Sequence, residues 1–555
     1  MEESKLIKVF KRLSQGSKQS VQNGQDLDDF DKYLHVERPI EKAVRKEMDE
    51  IRAQNGGLLL LVGSAGDGKS HMIASLKKDY PDFKYRNDAS ESPDPKIEAR
   101  EYLKQCLEDF NSESIATTNT KLMVAINMGK LSEFIDEEDV KDRFHELVAC
   151  AKTLFDEDNL HHDQTERIRI VSFGNHQIFE LYPEKTDEEY PVDSEFIRAV
   201  LQKITQPSEE NVFYKAYKES KPIGNDYDPA YINYELLRIP AIQDAIIKFL
   251  IEAIIRYKLL LTPRELFDFV YRIVVPNTIK EFKKNDHFFS ALMPSLLFGG
   301  GESRILKTIT LLDPLKQGCI DHNDKLSNLF TSIDIPDNIK NVLQGKVHQS
   351  FFDTLTQFYS NNRNDVDNIS KLIFRLEHLL NYHSESEEYR EFLDVLCGYY
   401  DKDTERVERL YENIIRCIPH YYGSYTNDDH IVPLNIQGKD YKLFANCKDL
   451  SPVWNPDDVD FNPENRNQFV IEIMTRWKVQ NPLTLKVEYQ LYEELCKICK
   501  GKLTLATERD HNLLFGRFIS ELVMQTDFQN SILILSPDNK QYTLKRGLGT
   551  KLTLR

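Results

Sequence analysis

An apolar run, "LLLLV" at 58–62, enters the stretch "GSAGDGKS" at 63–70, which leads directly into "HMIASLKK". Gly63, Gly68, Lys69 and Ser70 fit G-x-x-x-x-G-K-[ST] at every defined position. The spacing answers a physical need. A loop that wraps a phosphate must turn successive backbone N–H groups inward, and bulky side chains there would block the approach. Lys69 then supplies positive charge to the β and γ phosphates, and the Ser70 hydroxyl is placed to ligate Mg²⁺. The helix that follows directs its positive end at the anion. The strand before and the helix after are the context this motif requires. The expected nucleotide-binding set is Gly63, Ser64, Ala65, Gly66, Asp67, Gly68, Lys69, Ser70 and His71, with ATP and Mg²⁺ as ligands.

The flanking sequence extends the same architecture. "FKYRND", "KLMVAIN" and "IRIVSF" read as strands, separated by helical patterns in "DPKIEAREYLKQCLEDF" and "EEDVKDRFHELVACAKTLF". Strand and helix in alternation imply a parallel sheet covered on both faces. Before it, "LIKVFKRL" and "IEKAVRKEMDEIRAQ" have helical spacing, ended by "NGG" at 55–57. Beyond about residue 225 the patterns are helical with no strand between them. From about 431, "YKLFAN", "SILILS", "QYTLKR" and "KLTLR" read as strands beside helices at "YQLYEELCKICK" and "LLFGRFISELVMQ". The expected fold is therefore an α/β P-loop NTPase domain with a helical lid and middle region, plus a small α+β C-terminal domain. Its divisions are 1–55, an N-terminal helical segment; 56–225, the nucleotide-binding domain; 226–430, the lid and middle; and 431–555.

Hydrolysis needs more than the loop. Many P-loop ATPases end a core strand in an acid that holds Mg²⁺, but "LMVAINMGK" puts Asn127 there. Asp88, in "RNDASES" with Glu91 close by, is an alternative acid. Asn175, in "FGNHQ", is placed to orient a water or a γ-phosphate. Each of these also suits a polar residue capping a strand end. Arg264, behind Pro263 in "LTPRELFDFVY", heads a helix of the expected lid, where an arginine can reach the γ-phosphate and report nucleotide state. A surface arginine in a first helical turn is the plainer reading. Arg304, in "FGGGESR", is a weaker candidate for a finger acting on a neighbouring subunit. Cys496 and Cys499 form a lone C-x-x-C that suits a core-facing helix turn better than zinc. His161, His162 and Asp163 read as an exposed loop.

Composition narrows the setting. A chain of 555 residues is too long for one core. Its eight cysteines are scattered, "MEESKLIKVFKRL" lacks the apolar core of a signal peptide, and no apolar stretch reaches membrane length. A reduced, cytoplasmic protein without membrane contact is expected. A net charge of −18 argues against a surface that is basic throughout. Local exceptions are Lys5, Lys8, Lys11, Arg12 and Lys18 near one end, and Lys545, Arg546, Lys551 and Arg555 near the other.

Seven blocks, "YLHVERPIEK", "VGSAGDGKSH", "NDASES", "AINMGKL", "NVFYKAYKE", "LLLTPRELFDFVYRIVVP" and "LFGRFISELV", occur in order along nearly the whole chain. Together they resemble the DptF (DndF) family of bacterial DNA phosphorothioation-dependent restriction systems. The resemblance implies a protein acting with DptG and DptH subunits against DNA that lacks the sulfur modification, reaching DNA through the assembled complex. Asn127 lies within one of the resembling blocks. Two mechanisms compete: an ATPase subunit of low intrinsic activity, or a nucleotide-gated scaffold with little or no turnover. Apart from the resemblance, the residues also fit an unrelated AAA-type or signal-transduction ATPase of phage defence.

Overall fold

The computed structural model describes residues 4–19, 29–64, 67–87, 97–155, 165–185, 190–220, 228–276, 288–316, 366–382, 386–421, 431–433, 441–446, 450–479, 481–501, 513–525, 531–538, 540–546 and 551–555, with a few others between 317 and 365. The chain divides into two compact units: Met1–Glu180 with Asp193–Ile254 and Leu259–His383, and Leu181–Val192 with Ile255–Lys258 and Ser384–Arg555.

The first unit is built around a parallel sheet. Its strands are β1 (Gly57–Gly63), β2 (Lys84–Arg86), β3 (Lys121–Asn127) and β4 (Ile168–Ser172), in the order β2-β3-β1-β4. Every residue of β1 is buried, as expected of a strand covered on both faces. Alternate side chains enter two separate cores. Leu58, Leu60 and Val62 join Leu122, Val124, Ile126, Ile168 and Ile170 on one side. There they meet Leu103 of α4 (Ala99–Cys106), Leu131 and Phe134 of α5 (Met128–Ile135), and Leu147 of α6 (His145–Lys152). Leu59 and Leu61 join Met123, Ala125 and Val171 on the other. That face is closed by Val44, Met48 and Ile51 of α2 (Pro39–Ala53) and by Met72, Ile73 and Leu76 of α3 (Lys69–Leu76). Fully burying such a side chain contributes about 1.5–3 kcal/mol, so the middle strand anchors the sheet.

The "EEDVKDRFHELVACAKTLF" pattern is not one helix. It breaks at Phe144 (φ −127°, ψ 51°), whose ring is buried in the core and so turns the chain between two short helices.

Helices complete the unit. The amino-terminal α1 (Lys5–Gln19) buries Leu6, Ile7, Phe10 and Leu13, and Phe10 meets Phe213 edge-on in α8 (Val212–Glu219). Lys5 pairs with Glu219 at 2.9 Å, and Arg12 lies over the Phe30 ring. This basic segment is thus an integral packed helix. Further helices are α7 (Glu195–Thr205), α9 (Pro229–Leu237) and α10 (Pro263–Val274). Then come α11 (Met293–Phe298) and α12 (Val366–Leu380). α10 is secured by a Thr262/Glu265 capping box with Pro263 in its first turn.

The second unit mixes helices with antiparallel sheet. α13 (Glu387–Tyr400) and α14 (Thr404–Tyr421) pack with α15 (Tyr489–Cys499). A five-stranded sheet contains β5 (Ile431–Pro433), β6 (Lys442–Asn446), β9 (Ser531–Leu535), β10 (Gln541–Arg546) and β11 (Leu552–Leu554). A smaller sheet pairs β7 (Ile473–Lys478) with β8 (Pro482–Val487), and α16 (Leu513–Gln525) packs against β8. Among the described residues, no helix is long and apolar enough to cross a membrane.

Candidate functional site

The carboxyl ends of β1, β3 and β4 meet at one edge of the sheet, where ligands of open α/β folds bind. Register fixes their neighbours: Gly63 stands opposite Asn127 across the β1–β3 pair, and Val62 opposite Ser172 across the β1–β4 pair. From Gly63 the chain enters the glycine-rich loop and emerges into α3 at Lys69. Gly68 sits at φ +86° as the residue preceding the helix, a conformation that favours glycine. A Cβ on Gly63 would lie 2.6 Å from Asp67 Oδ2 and 2.8 Å from the Phe173 ring, so any larger residue here would force those side chains to shift.

The loop is densely hydrogen-bonded. Lys69 Nζ donates to the carbonyl oxygens of Gly63 at 3.0 Å and Ser64 at 2.6 Å. The Ser64 N–H donates to Asp67 Oδ2 at 2.5 Å. Arg38 Nη1 donates to the Asp67 carbonyl at 2.7 Å, and its guanidinium lies 5.2 Å from the centre of the Phe173 ring. Ser70 is exposed in the first turn of α3. Burial pushes the Asp67 carboxyl above its ordinary value, against the Ser64 amide and the charges of Lys69 and Arg38. Burial likewise lowers the Arg38 guanidinium, with Glu41 and Asp67 opposing.

Behind the loop, His71 Nε2 lies 3.2 Å from His35 Nδ1, and His35 Nε2 lies 3.6 Å from Glu41 Oε1. Ser75 Oγ donates to the same Glu41 oxygen at 3.0 Å. Burial disfavours the Glu41 carboxylate, but hydrogen bonds from His35 and Ser75 and the charges of His35 and Arg45 outweigh it and hold the group below its ordinary value. His71 is lowered, first by burial and then by the charges of His35 and Arg38. Lys203 Nζ fastens this segment from α7, donating to the carbonyls of Tyr33 at 2.7 Å and His35 at 2.5 Å.

The expected site residues fall into three groups. Gly63, Ser64, Asp67, Gly68, Lys69, Ser70 and His71 form one cluster, with Asn127 at its border. The Asn127 side chain accepts from the Gly129 amide at 2.9 Å and caps α5. Asn175 follows Ser172 and Phe173 in a short 3-10 turn beyond β4. Arg264 is exposed in the first turn of α10, and among the described residues no hydrogen bond, ion pair or ring contact joins it to the loop. Arg304 starts a short helix, donates to the Leu260 carbonyl at 2.5 Å and pairs with Glu265 at 3.5 Å. Ala65, Gly66, Asp88, Glu91, His161, His162 and Asp163 lie outside the described residues.

Arg38, His35 and Phe173 were not singled out from sequence as site residues. The first two stand in "YLHVERPIEK", whose resemblance was the only local signal. In the second unit, Cys499 Sγ lies 3.3 Å from Cys417 Sγ, and Cys496 is buried. Among the described residues, no group of three or more His, Cys, Asp or Glu could hold a metal ion.

The cluster offers backbone amides, one ammonium and one exposed hydroxyl at a helix start, a set suited to an anion chelated with a divalent cation. Compared with protein-family models, curated proteins and solved structures, the chain matches none.

Proposed function

We propose that this chain is an ATP-binding subunit of a phosphorothioation-dependent restriction complex, working with DptG- and DptH-type partners against DNA that lacks the sulfur modification. The observation that carries nucleotide binding is the 63–70 loop between β1 and α3, at the carboxyl edge of a parallel sheet, with Lys69 folded across it. The choice of system rests on the seven resembling blocks.

The chain's own residues divide the work. The loop amides and Lys69 bind phosphate oxygens; Ser70 contributes its hydroxyl to Mg²⁺. Arg38 and Phe173 brace the loop from outside it. Bound Mg·ATP would supply a triphosphate whose charge, and whose cleavage, can be coupled to a change of conformation.

The scaffold reading, with little turnover, is favoured by one observation. Asn127 stands opposite Gly63, where a metal-holding acid would be useful, and its side-chain oxygen is used on the Gly129 amide.

Titration with a fluorescent ATP analogue tests binding: Lys69→Ala loses it while the protein stays folded. Wild-type affinity in that variant removes the assignment. Steady-state phosphate release, with and without DNA and partner subunits, separates the ATPase from the scaffold.

A further inference from the structure

We propose that Asp67 is an internal competitor for the nucleotide's phosphates, a carboxylate that occupies a loop amide and must swing out before phosphate can take its place. The inference rests on the nucleotide-binding reading and concerns regulation of that same site.

Four observations carry it. The Asp67 carboxylate accepts from the Ser64 N–H at 2.5 Å, so an oxyanion already engages a donor of the loop. The same oxygen is only 2.6 Å from where a Cβ on Gly63 would stand, which puts it against the end of β1. Arg38 meanwhile holds the Asp67 carbonyl at 2.7 Å, fixing the backbone of the residue whose side chain folds inward. Lys69 spans the loop carbonyls of Gly63 and Ser64, so the principal cation also has bonds to exchange when phosphate arrives.

The chemistry follows from charge. A carboxylate and a phosphate cannot share one N–H donor, and two anions a few ångströms apart in a partly buried loop repel strongly. The carboxyl is also held above its ordinary value by burial, as suits a half-buried group turned in against the end of β1. Binding therefore includes the cost of displacing Asp67. Asparagine removes the charge with little change of shape, and alanine removes the side-chain acceptor as well.

The test is titration of the full chain with a fluorescent ATP analogue and Mg²⁺, with inorganic tripolyphosphate as competitor, beside thermal melting. Wild type is compared with Asp67→Asn, Asp67→Ala and Lys69→Ala. Expected are at least about tenfold tighter binding in both Asp67 variants and tripolyphosphate competition strengthened in proportion, since the gain belongs to the phosphates. Ligand-free melting should stay equal to wild type or fall slightly, as one loop contact is lost. Lys69-dependent binding in wild type with equal or weaker affinity in the folded Asp67 variants overturns the proposal and leaves the nucleotide reading standing. Failure of both variants to fold makes Asp67 structural and also overturns it. Absence of Lys69-dependent binding in wild type and Asp67 variants alike removes the nucleotide reading itself, and this inference with it.

Discussion

His35 Nδ1 and His71 Nε2 lie 3.2 Å apart, joining the segment before α2 to the first turn of α3. One hydrogen bond between two imidazoles needs one donor and one acceptor. A proton on both facing nitrogens would set two donors against each other. Glu41 faces His35 from α2, and the Arg38 charge adds to the field at His71. His71 is lowered from its ordinary value of 6.5, chiefly by burial. Its unfolded form therefore takes up a proton first as pH falls. The contribution to stability is complete above pH 6.5 and is lost as pH drops through the lowered folded value.

The expected outcome is a melting temperature that declines more steeply between pH 7 and pH 5 in wild type than in His71→Gln, because only the wild type loses the His71 contribution over that range. Equal slopes in the two proteins would remove His71 as the group responsible.

Asn127 serves as a helix cap and stands at the mouth of the site, so two substitutions separate these roles. Asn127→Ala removes the acceptor for the Gly129 amide and should cost about 1 kcal/mol. Asn127→Asp keeps a cap of equal quality and places a carboxylate opposite Gly63. If a missing acid limits turnover, steady-state phosphate release rises several-fold in the aspartate variant at unchanged stability. An aspartate variant as slow as wild type would place the limit elsewhere, in a partner subunit or in Asp88.

Arg264 heads a helix that is secure without it. The Thr262/Glu265 capping box closes the α10 start, and Asp268 one turn on accepts from Ser14 at 2.9 Å and from Arg272 at 2.6 Å. Arg264 itself is exposed. Arg264→Ala should shift stability by no more than about 0.5 kcal/mol and nucleotide affinity by less than about tenfold, roughly 1.4 kcal/mol. A sensor role then has one signature: ATP protects this helical segment from proteolysis in wild type and not in the variant. Equal protection in both would withdraw it.

What the sequence made legible follows from the range of each signal. β1 was visible because every residue from 57 to 63 is buried, leaving an unbroken apolar run before the glycine loop. Asn127 was placed correctly at a strand end, since the next residues start a helix it caps. Arg38 was not readable as a loop contact, because it reaches Asp67 across twenty-nine positions of chain. The same holds for His35, thirty-six positions from His71. β7 and β8 were missed for a different reason. β7 alternates buried Ile473, Thr475 and Trp477 with the partly or fully exposed Met474, Arg476 and Lys478, and β8 alternates likewise, so neither carries an apolar run. The helical spacing of "LIKVFKRL" was legible, but not what its apolar stripe Leu6, Phe10 and Leu13 packs on, because those partners are distant in sequence.

Glu180 sets an opposite dependence on pH. Its side chain is only 6% exposed, one oxygen accepts from the Glu195 amide at 2.9 Å, and the other is buried with no hydrogen-bond partner among the described residues. Burial is the main cause that pushes the carboxyl up to about 7, with the charges of Glu195 and Asp193 adding to it and the Glu195 amide opposing. The unfolded chain has the ordinary value of 4.5, so the folded state binds the extra proton between these limits. The stabilisation is complete below pH 4.5 and is lost as pH rises through about 7. At about 1.4 kcal/mol per unit, the gap amounts to roughly 3 kcal/mol. Glutamine stays neutral at every pH and can still accept from the Glu195 amide. Glu180→Gln should therefore match wild type within about 1 kcal/mol at pH 5 and exceed it by about 2–3 kcal/mol at pH 8, the part of that gap realised once the wild-type carboxyl ionises. Denaturant unfolding of both proteins at the two pH values measures this directly. A difference of the same size at pH 5 and pH 8 would show that Glu180 contributes by packing, and that its proton is not what the fold retains.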